Sequence, residues 1–308
     1  MGAPAGRKPL ICLGEGLVDL IGPDPAGDAG GERDFEVHFG GALANVAVAA
    51  RRAGAPVALA SGCGRDRWGR FLLDRLRAEG IDLTFYAELD DVPTAFAFAF
   101  LGPGGEPEFE IHGEGIDASI ASLVGREREL VDAAAAIAFG SNTLVSEASR
   151  AITTEISRLA GEAGVTLLFD PNLRPGRWED LDRAREICLR CVAVVDVVKC
   201  NVGEARWLLA DSELSAEEAA EELHRLGPQL AVVTAGTDPV VARGATEASV
   251  VPPAVEVVSP LGAGDNFMGT LAAGLYAAGF DLSEAGSVLR DAADAAARTC
   301  THIGAFGR

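Results

Sequence analysis

Lysine is nearly missing from this 308-residue chain: Lys8 and Lys199 stand against 24 arginines. A Walker-type phosphate loop needs Gly-Lys-Ser/Thr, and neither lysine follows a glycine, so that route to phosphate binding is excluded. Schiff-base chemistry would rest on Lys199 alone, because Lys8 lies in the N-terminal tail. Long apolar runs are missing as well. The longest, Ala133 to Phe139, is far short of the ~18 residues of a membrane span, and Leu10 to Leu13 is too short for a signal-peptide core. Positive charge is scarce, with 26 Lys+Arg against 46 Asp+Glu for a net −20, so nucleic acid and anionic membranes should be repelled. The four histidines form no H-x-x-x-H or H-E pair, and no Gly-x-Ser-x-Gly elbow occurs, which argues against a histidine metal site and acyl transfer. Six scattered cysteines offer one C-x-x-C, Cys188 and Cys191, without the second ligand pair that structural zinc requires. They read as buried reduced thiols of a cytoplasmic protein.

Hydrophobic residues make up 48% and charged residues 23%, an ordinary globular composition. Short apolar runs alternate with helical patterns. Strands are expected at Leu10 to Leu13, Val57 to Ser61, Ala136 to Phe139, Thr166 to Phe169, Val194 to Val198 and Leu230 to Thr234. Helices are expected at Ala42 to Ala53, Arg67 to Ala78, Glu147 to Ala163, Leu181 to Cys191, Ala216 to Leu226, Asn266 to Ala278 and Ser283 to Cys300. Such alternation predicts an α/β protein with a parallel sheet covered on both faces. Two stretches break the rhythm. Phe35 to Phe39 alternates strictly, and Ala95 to Phe100 does so before Gly102-Pro103-Gly104-Gly105 and Glu108 to His112, a hairpin signal. These segments predict a small β appendage whose Phe96, Phe98 and Phe100 cover a substrate or clasp a second subunit.

Chemistry-bearing residues gather after strands. Gly262-Ala263-Gly264-Asp265-Asn266 opens a helix, where turned backbone N–H groups and the helix dipole favour an anion. Asp265 there is either a helix cap or a base beside the anion. Gly40-Gly41-x-x-x-Asn45 is a second glycine turn opening a helix, with Asn45 either a ligand contact or a buried amide bonded to backbone. Gly14 to Asp19 follows the first strand and places Asp19 near the sheet's carboxyl end, where open α/β sheets bind ligands. Asp170-Pro171-Asn172-Leu173-Arg174 follows another strand, and Asn201-x-x-Glu204 a third, spaced to reach a hydrated metal or a phosphate from one helix face. Thr234-Ala235-Gly236 follows a fourth.

Taken in this order, with Gly64-x-Asp66-x-x-Gly69, these motifs resemble the ribokinase-like (phosphofructokinase-B) carbohydrate kinases from Ile11 to about Ala305. The resemblance implies a three-layer α/β/α fold with a mostly parallel central sheet, one kinase domain over 1–308, and a β lid from segments near 15–40 and 85–118. It also implies ATP and Mg²⁺ acting on a sugar hydroxyl. Asp265 would be the base and Gly262, Ala263 and Gly264 the anion hole. Asp19, Gly40, Gly41, Asn45 and Arg174 would contact the sugar. Asn201, Thr234 and Gly236 would line the nucleotide, and Glu204 would serve Mg²⁺ through water. Phe139 to Leu144, Asp170 to Pro175 and Trp178 are most similar to the fructokinase branch, which implies fructose converted to fructose 6-phosphate. His112 to Asp117 departs from that branch, and Pro239 stands where it usually has a second glycine. The alternatives are a kinase for ribose, 2-keto-3-deoxygluconate or an adenosine-like nucleoside, and a catalytically silent sugar-binding regulator. Ser259-Pro260 replaces the Asp-Thr usual before the glycine motif, and the lost carboxylate predicts weak K⁺ dependence. A homodimer through the lid is a further expectation.

Overall fold

The computed structural model describes residues 7–23, 34–101 and 107–306. The chain runs β1 (Leu10–Leu13), β2 (Leu17–Pro23), β3 (Glu36–Gly40), α1 (Ala42–Arg52), β4 (Val57–Gly64), α2 (Arg67–Ala78), β5 (Tyr86–Leu89), β6 (Phe96–Leu101) and β7 (Pro107–His112). Next come α3 (Glu114–Ala121), α4 (Glu127–Ala133), β8 (Ala136–Gly140), α5 (Glu147–Ala163), β9 (Thr166–Asp170), α6 (Leu181–Val192), β10 (Val197–Asn201), α7 (Val202–Leu209) and α8 (Ala216–Arg225). It closes with β11 (Leu230–Ala235), β12 (Asp238–Gly244), β13 (Ala248–Val250), α9 (Ala263–Ala277) and α10 (Ala285–Thr299).

Helix ends follow local chemistry. Asp66 starts α2 by accepting from the N–H groups of Trp68 and Gly69, and Asp180 does the same for α6 through Asp182 and Arg183. Gly164, at φ 67°, ends α5 in the left-handed conformation. The strand expected from Val194 begins only at Val197, because Val194 lies in the turn after α6 and is exposed.

The central sheet has the order β13-β12-β11-β10-β9-β8-β1-β4-β5. It is parallel from β11 through β5 and antiparallel at the β11-β12-β13 edge. Alternation along β1 sends Leu10 and Cys12 into one core, with α1, α2, α9 and α10, and Ile11 and Leu13 into the other, with α4 to α8. Three layers result. The α1–α9 contact is close enough that a Cβ on Gly269 would stand 2.5 Å from the Val46 carbonyl oxygen, so only glycine fits there.

A second sheet, β3-β2-β6-β7, forms the lid. Asp19 therefore lies inside a lid strand, paired with Ala97 and His38. The Gly102 to Gly105 turn lies outside the described residues. Register decides which face is which. Ala97 and Ala99 pair with Ile111 and Phe109 on the inner face, while Phe96, Phe98 and Phe100 pair with His112, Glu110 and Glu108 on the outer one. The three phenylalanines stack with Phe35 and His112 there, so they do not cover the cavity beneath the lid.

Candidate active site

A cavity of about 670 Å³ opens at the carboxyl ends of the central strands, beneath the inner lid face. Of the residues singled out in the sequence, Asp19, Gly41, Asn45, Arg174, Asn201, Glu204, Thr234, Gly262, Gly264 and Asp265 line it together. Gly40, Ala263 and Gly236 do not. Gly40 leaves room for the Asp19 carboxylate, since a Cβ would collide with it. Ala263 is the first residue of α9, and Gly236 turns the chain between β11 and β12 at φ 64°.

Two helices aim their N-termini at this space. Gly41 precedes α1 at φ 96°, with the Glu15 carbonyl where a Cβ would fall. The Glu15 carboxylate accepts from Ala42 N–H at 3.2 Å and from Asn142 Nδ2 at 2.8 Å, closing that end. Gly262 precedes α9 at φ 80°, and no side chain caps this helix. Ala263 N–H donates to the Pro260 carbonyl at 3.1 Å, which leaves the N–H groups of Gly264 and Asp265 in the first turn available to an anion.

Asp265 is therefore not a cap. Its Oδ2 accepts from Asn45 Nδ2 at 2.9 Å and its Oδ1 from Asn172 Nδ2 at 2.8 Å. Asn45 is thus neither bonded to backbone nor free for a ligand alone; it holds the carboxylate, and its Oδ1 remains buried without a partner. Asn172 reaches Asp265 from a left-handed backbone at φ 42°, a strained conformation for a residue other than glycine. Burial pushes the Asp265 carboxyl up to about 6, while the Asn45 hydrogen bond and Arg174 restrain it. Burial also lifts Asp19, to about 7, against the pull of Arg174. Arg174 lies over the Phe109 ring at 4.8 Å and donates to the carbonyls of Asn172 and Leu173, tying β7 of the lid to the loop after β9.

Asn201 and Glu204 form a capping box on α7: Asn201 Oδ1 accepts from Glu204 N–H at 2.9 Å and Glu204 Oε2 from Asn201 N–H at 3.0 Å. Glu204 Oε1 accepts from Leu173 N–H at 2.8 Å. Burial, then Asp170, raise its pKa.

Sequence reasoning missed a buried ion pair. Lys199 Nζ donates to Asp170 Oδ2 at 2.8 Å, and both side chains are about 5% exposed or less. A signal existed, since Lys199 is the single lysine beyond the N-terminal tail and interrupts an apolar run two residues before Asn201. The inner lid residues Leu17, Ala97, Phe109 and Ile111 were also missed as lining.

The model of the pfkB family of carbohydrate kinases matches residues 7–306. Fructokinase-1 of Zea mays is 32% identical over 269 residues, covering 87% of this chain and 83% of that relative. A crystal structure of a Xylella fastidiosa fructokinase with bound ATP superposes with a TM-score of 0.81 at 28% identity, covering 96% of this chain and 93% of that one. Aminoimidazole riboside kinase of Salmonella enterica, complexed with aminoimidazole riboside and an ATP analogue, gives 0.78 at 27% identity, covering 96% and 94%. With a match along almost its whole length and a lid sheet closing over a glycine turn at a helix N-terminus, the chain belongs to the pfkB family of carbohydrate kinases.

Proposed function

We propose that this chain, as one kinase domain, transfers the terminal phosphoryl group of ATP to a sugar hydroxyl, with fructose giving fructose 6-phosphate. The observation that carries the reading is Asp265: a buried carboxylate, held by two amides, beside an uncapped helix N-terminus. The sugar would lie between the lid and α1, against Asp19, Gly41, Asn45 and Arg174, with Gly40 shaping the wall. Asp265 takes the proton of the attacking hydroxyl as its oxygen forms the new bond to the γ-phosphorus. The bond from that phosphorus to the β–γ bridging oxygen breaks, and its electron pair leaves with ADP. The Gly262-Ala263-Gly264 turn neutralises the charge spread over the transferring oxygens. Asn201, Thr234 and Gly236 stand on the nucleotide side.

Among the described residues no group of three ligating side chains forms a metal cage. Mg²⁺, when bound with the nucleotide, would screen the charge of its phosphates. Glu204, with both oxygens already accepting from backbone, would reach it through water.

A second acceptor reading is a nucleoside, ribose or 2-keto-3-deoxygluconate. The apolar inner lid (Leu17, Ala97, Phe109, Ile111) and the likeness to the riboside kinase favour it. Asp117, in the segment that departs from fructokinases, is occupied by Arg177 at 3.1 Å. ADP release on a panel of sugars and nucleosides, with and without Mg²⁺, decides. Turnover with fructose exceeding that with ribose or adenosine is expected. Fructose inert beside another active acceptor sinks the fructose assignment, and no release with any acceptor leaves a silent sugar-binding protein. We also place the chain in the cytoplasm, on its six unpaired thiols. No helix among the described residues is long and apolar enough to cross a membrane. A second copy of the chain is proposed for the outer lid face, where Val37 is 44% exposed beside the ring stack.

A further inference from the structure

The cavity has a charge problem. Among the described residues Glu15, Asp19, Asp170, Glu204 and Asp265 line it, against Arg174 and Lys199. A polyphosphate entering five carboxylates needs cationic help on the side where it binds. Arg174 is committed elsewhere: it lies over Phe109 of the lid and bonds two carbonyls of its own loop. Lys199 stands on the other side. A Cβ added to Gly264 would lie 3.1 Å from Nζ, so the ammonium packs directly against the glycine turn at the N-terminus of α9. Asp170 takes one of its three protons, and Nζ forms no other hydrogen bond among the described residues. Asp170 Oδ1 is likewise buried and unpartnered, so the pair is half-used. A buried pair kept only for stability tends to have its remaining polar atoms satisfied, since desolvating both charges costs more than their attraction returns.

We propose that Lys199 is the phosphate cation of this site, its ammonium held by Asp170 under Gly264 and donating to the oxygens of the transferring γ-phosphoryl group. This rests on the kinase reading above. It gives the chain, by a buried strand lysine beside a helix N-terminus, the charge that a Walker lysine supplies elsewhere. Burial is the largest single influence and lowers the ammonium's affinity for its proton, but Asp170, Glu204 and Asp265 together raise it more, so the cation persists at neutral pH. The contact is specific to the third phosphate, because the amine stands at the glycine turn, next to Asp265.

The test compares Lys199→Met with the wild type by calorimetric titration of Mg²⁺-β,γ-methylene-ATP, Mg²⁺-ADP and the preferred sugar, alongside turnover. A hydrogen bond to a charged group contributes about 1.5–3 kcal/mol, so affinity for the ATP analogue should fall about tenfold or more, with ADP and sugar affinity nearly unchanged. Turnover should fall at least as far, and Lys199→Arg should restore part of the analogue affinity. Equal losses for ADP and the analogue, or no loss for either, would overturn the assignment and leave Lys199 as the counter-ion of Asp170. If Lys199→Met does not fold, the paired variant Asp170→Asn/Lys199→Met, which strands no buried charge, takes the same titrations with the same two outcomes. A wild-type protein that releases no ADP with any acceptor, yet prefers the analogue over ADP through Lys199, would fail the kinase reading while upholding this one.

Discussion

Replacing Asp265 by Asn separates proton transfer from architecture. The carboxylate accepts from Asn45 Nδ2 at 2.9 Å and from Asn172 Nδ2 at 2.8 Å. An Asn of the same shape has one acceptor oxygen and one amide nitrogen, so one of those donors would face another donor. Asn45 can relieve this by rotating its amide, because its Oδ1 is buried without a partner. The structural cost is then at most one charge-assisted hydrogen bond, about 1.5–3 kcal/mol, offset by no longer burying a charge. Catalysis loses more. General-base contributions of about 10²–10⁴ correspond to roughly 2.7–5.4 kcal/mol of barrier at 1.36 kcal/mol per decade. Turnover of the variant should therefore fall at least a hundredfold, with sugar and nucleotide affinities nearly unchanged. The pH profile gives a second readout. With the Asp265 carboxyl raised to about 6, wild-type turnover should be level above that pH and fall below it, as protonation removes the acceptor for the hydroxyl proton. The variant's residual rate should lack that acid limb. ADP release from pH 5 to 8 and calorimetric titration read both effects. Wild-type turnover combined with a lowered Tm would make Asp265 a structural residue and end the argument for a base.

The central strands and their flanking helices were legible because both signals are local. A buried parallel strand is an unbroken apolar run, and an amphipathic helix repeats its apolar residues within a few turns, so α2 and α5 fall on their expected bounds. What escaped is what depends on partners distant in sequence. Helix α7 has only eight residues, and the N-x-x-E spacing of Asn201 and Glu204, which suits a ligand site, does not disclose that the pair also forms its capping box. The β12-β13 hairpin at the sheet edge carries no strong apolar run, so only β11 marked that end. Period-2 alternation disclosed the lid but not which face looks inward. That choice is fixed by the pairing of Asp19 with Ala97, across 78 positions of sequence. The Lys199–Asp170 pair was invisible for the same reason: Asp170 ends β9 while Lys199 lies in the middle of β10, and only the adjacency of the two strands brings them together. Motif order pointed to the family, while the hydrogen bonds from Asn45 and Asn172 that hold Asp265 needed coordinates.

Three further outcomes are expected. Ser259 is fully buried and its Oγ accepts from Leu261 N–H at 3.3 Å, so it brings no carboxylate to a monovalent cation. Initial rates in K⁺ should exceed those in Na⁺ by less than about tenfold, ~1.4 kcal/mol, at equal ionic strength, and a larger activation would refute this. Sedimentation should find a dimer that Val37→Glu on the outer lid face converts to a monomer; a wild-type monomer at assay concentration would remove that interface. Finally, Asp19→Asn should trade function for stability, with a sign fixed by linkage. Asp19 loses its proton near 3.8 when unfolded but near 7 when folded, so the folded state holds the extra proton between those values and stability falls as pH rises through them. The penalty is complete above about pH 7 and is on the order of 4 kcal/mol at most. Removing the carboxylate should therefore raise the Tm at pH 8 while leaving it nearly unchanged at pH 4, and should weaken sugar binding. The same Tm difference at both pH values would mean that Asp19 carries no buried charge, and the cavity's carboxylate excess would have to be reckoned without it.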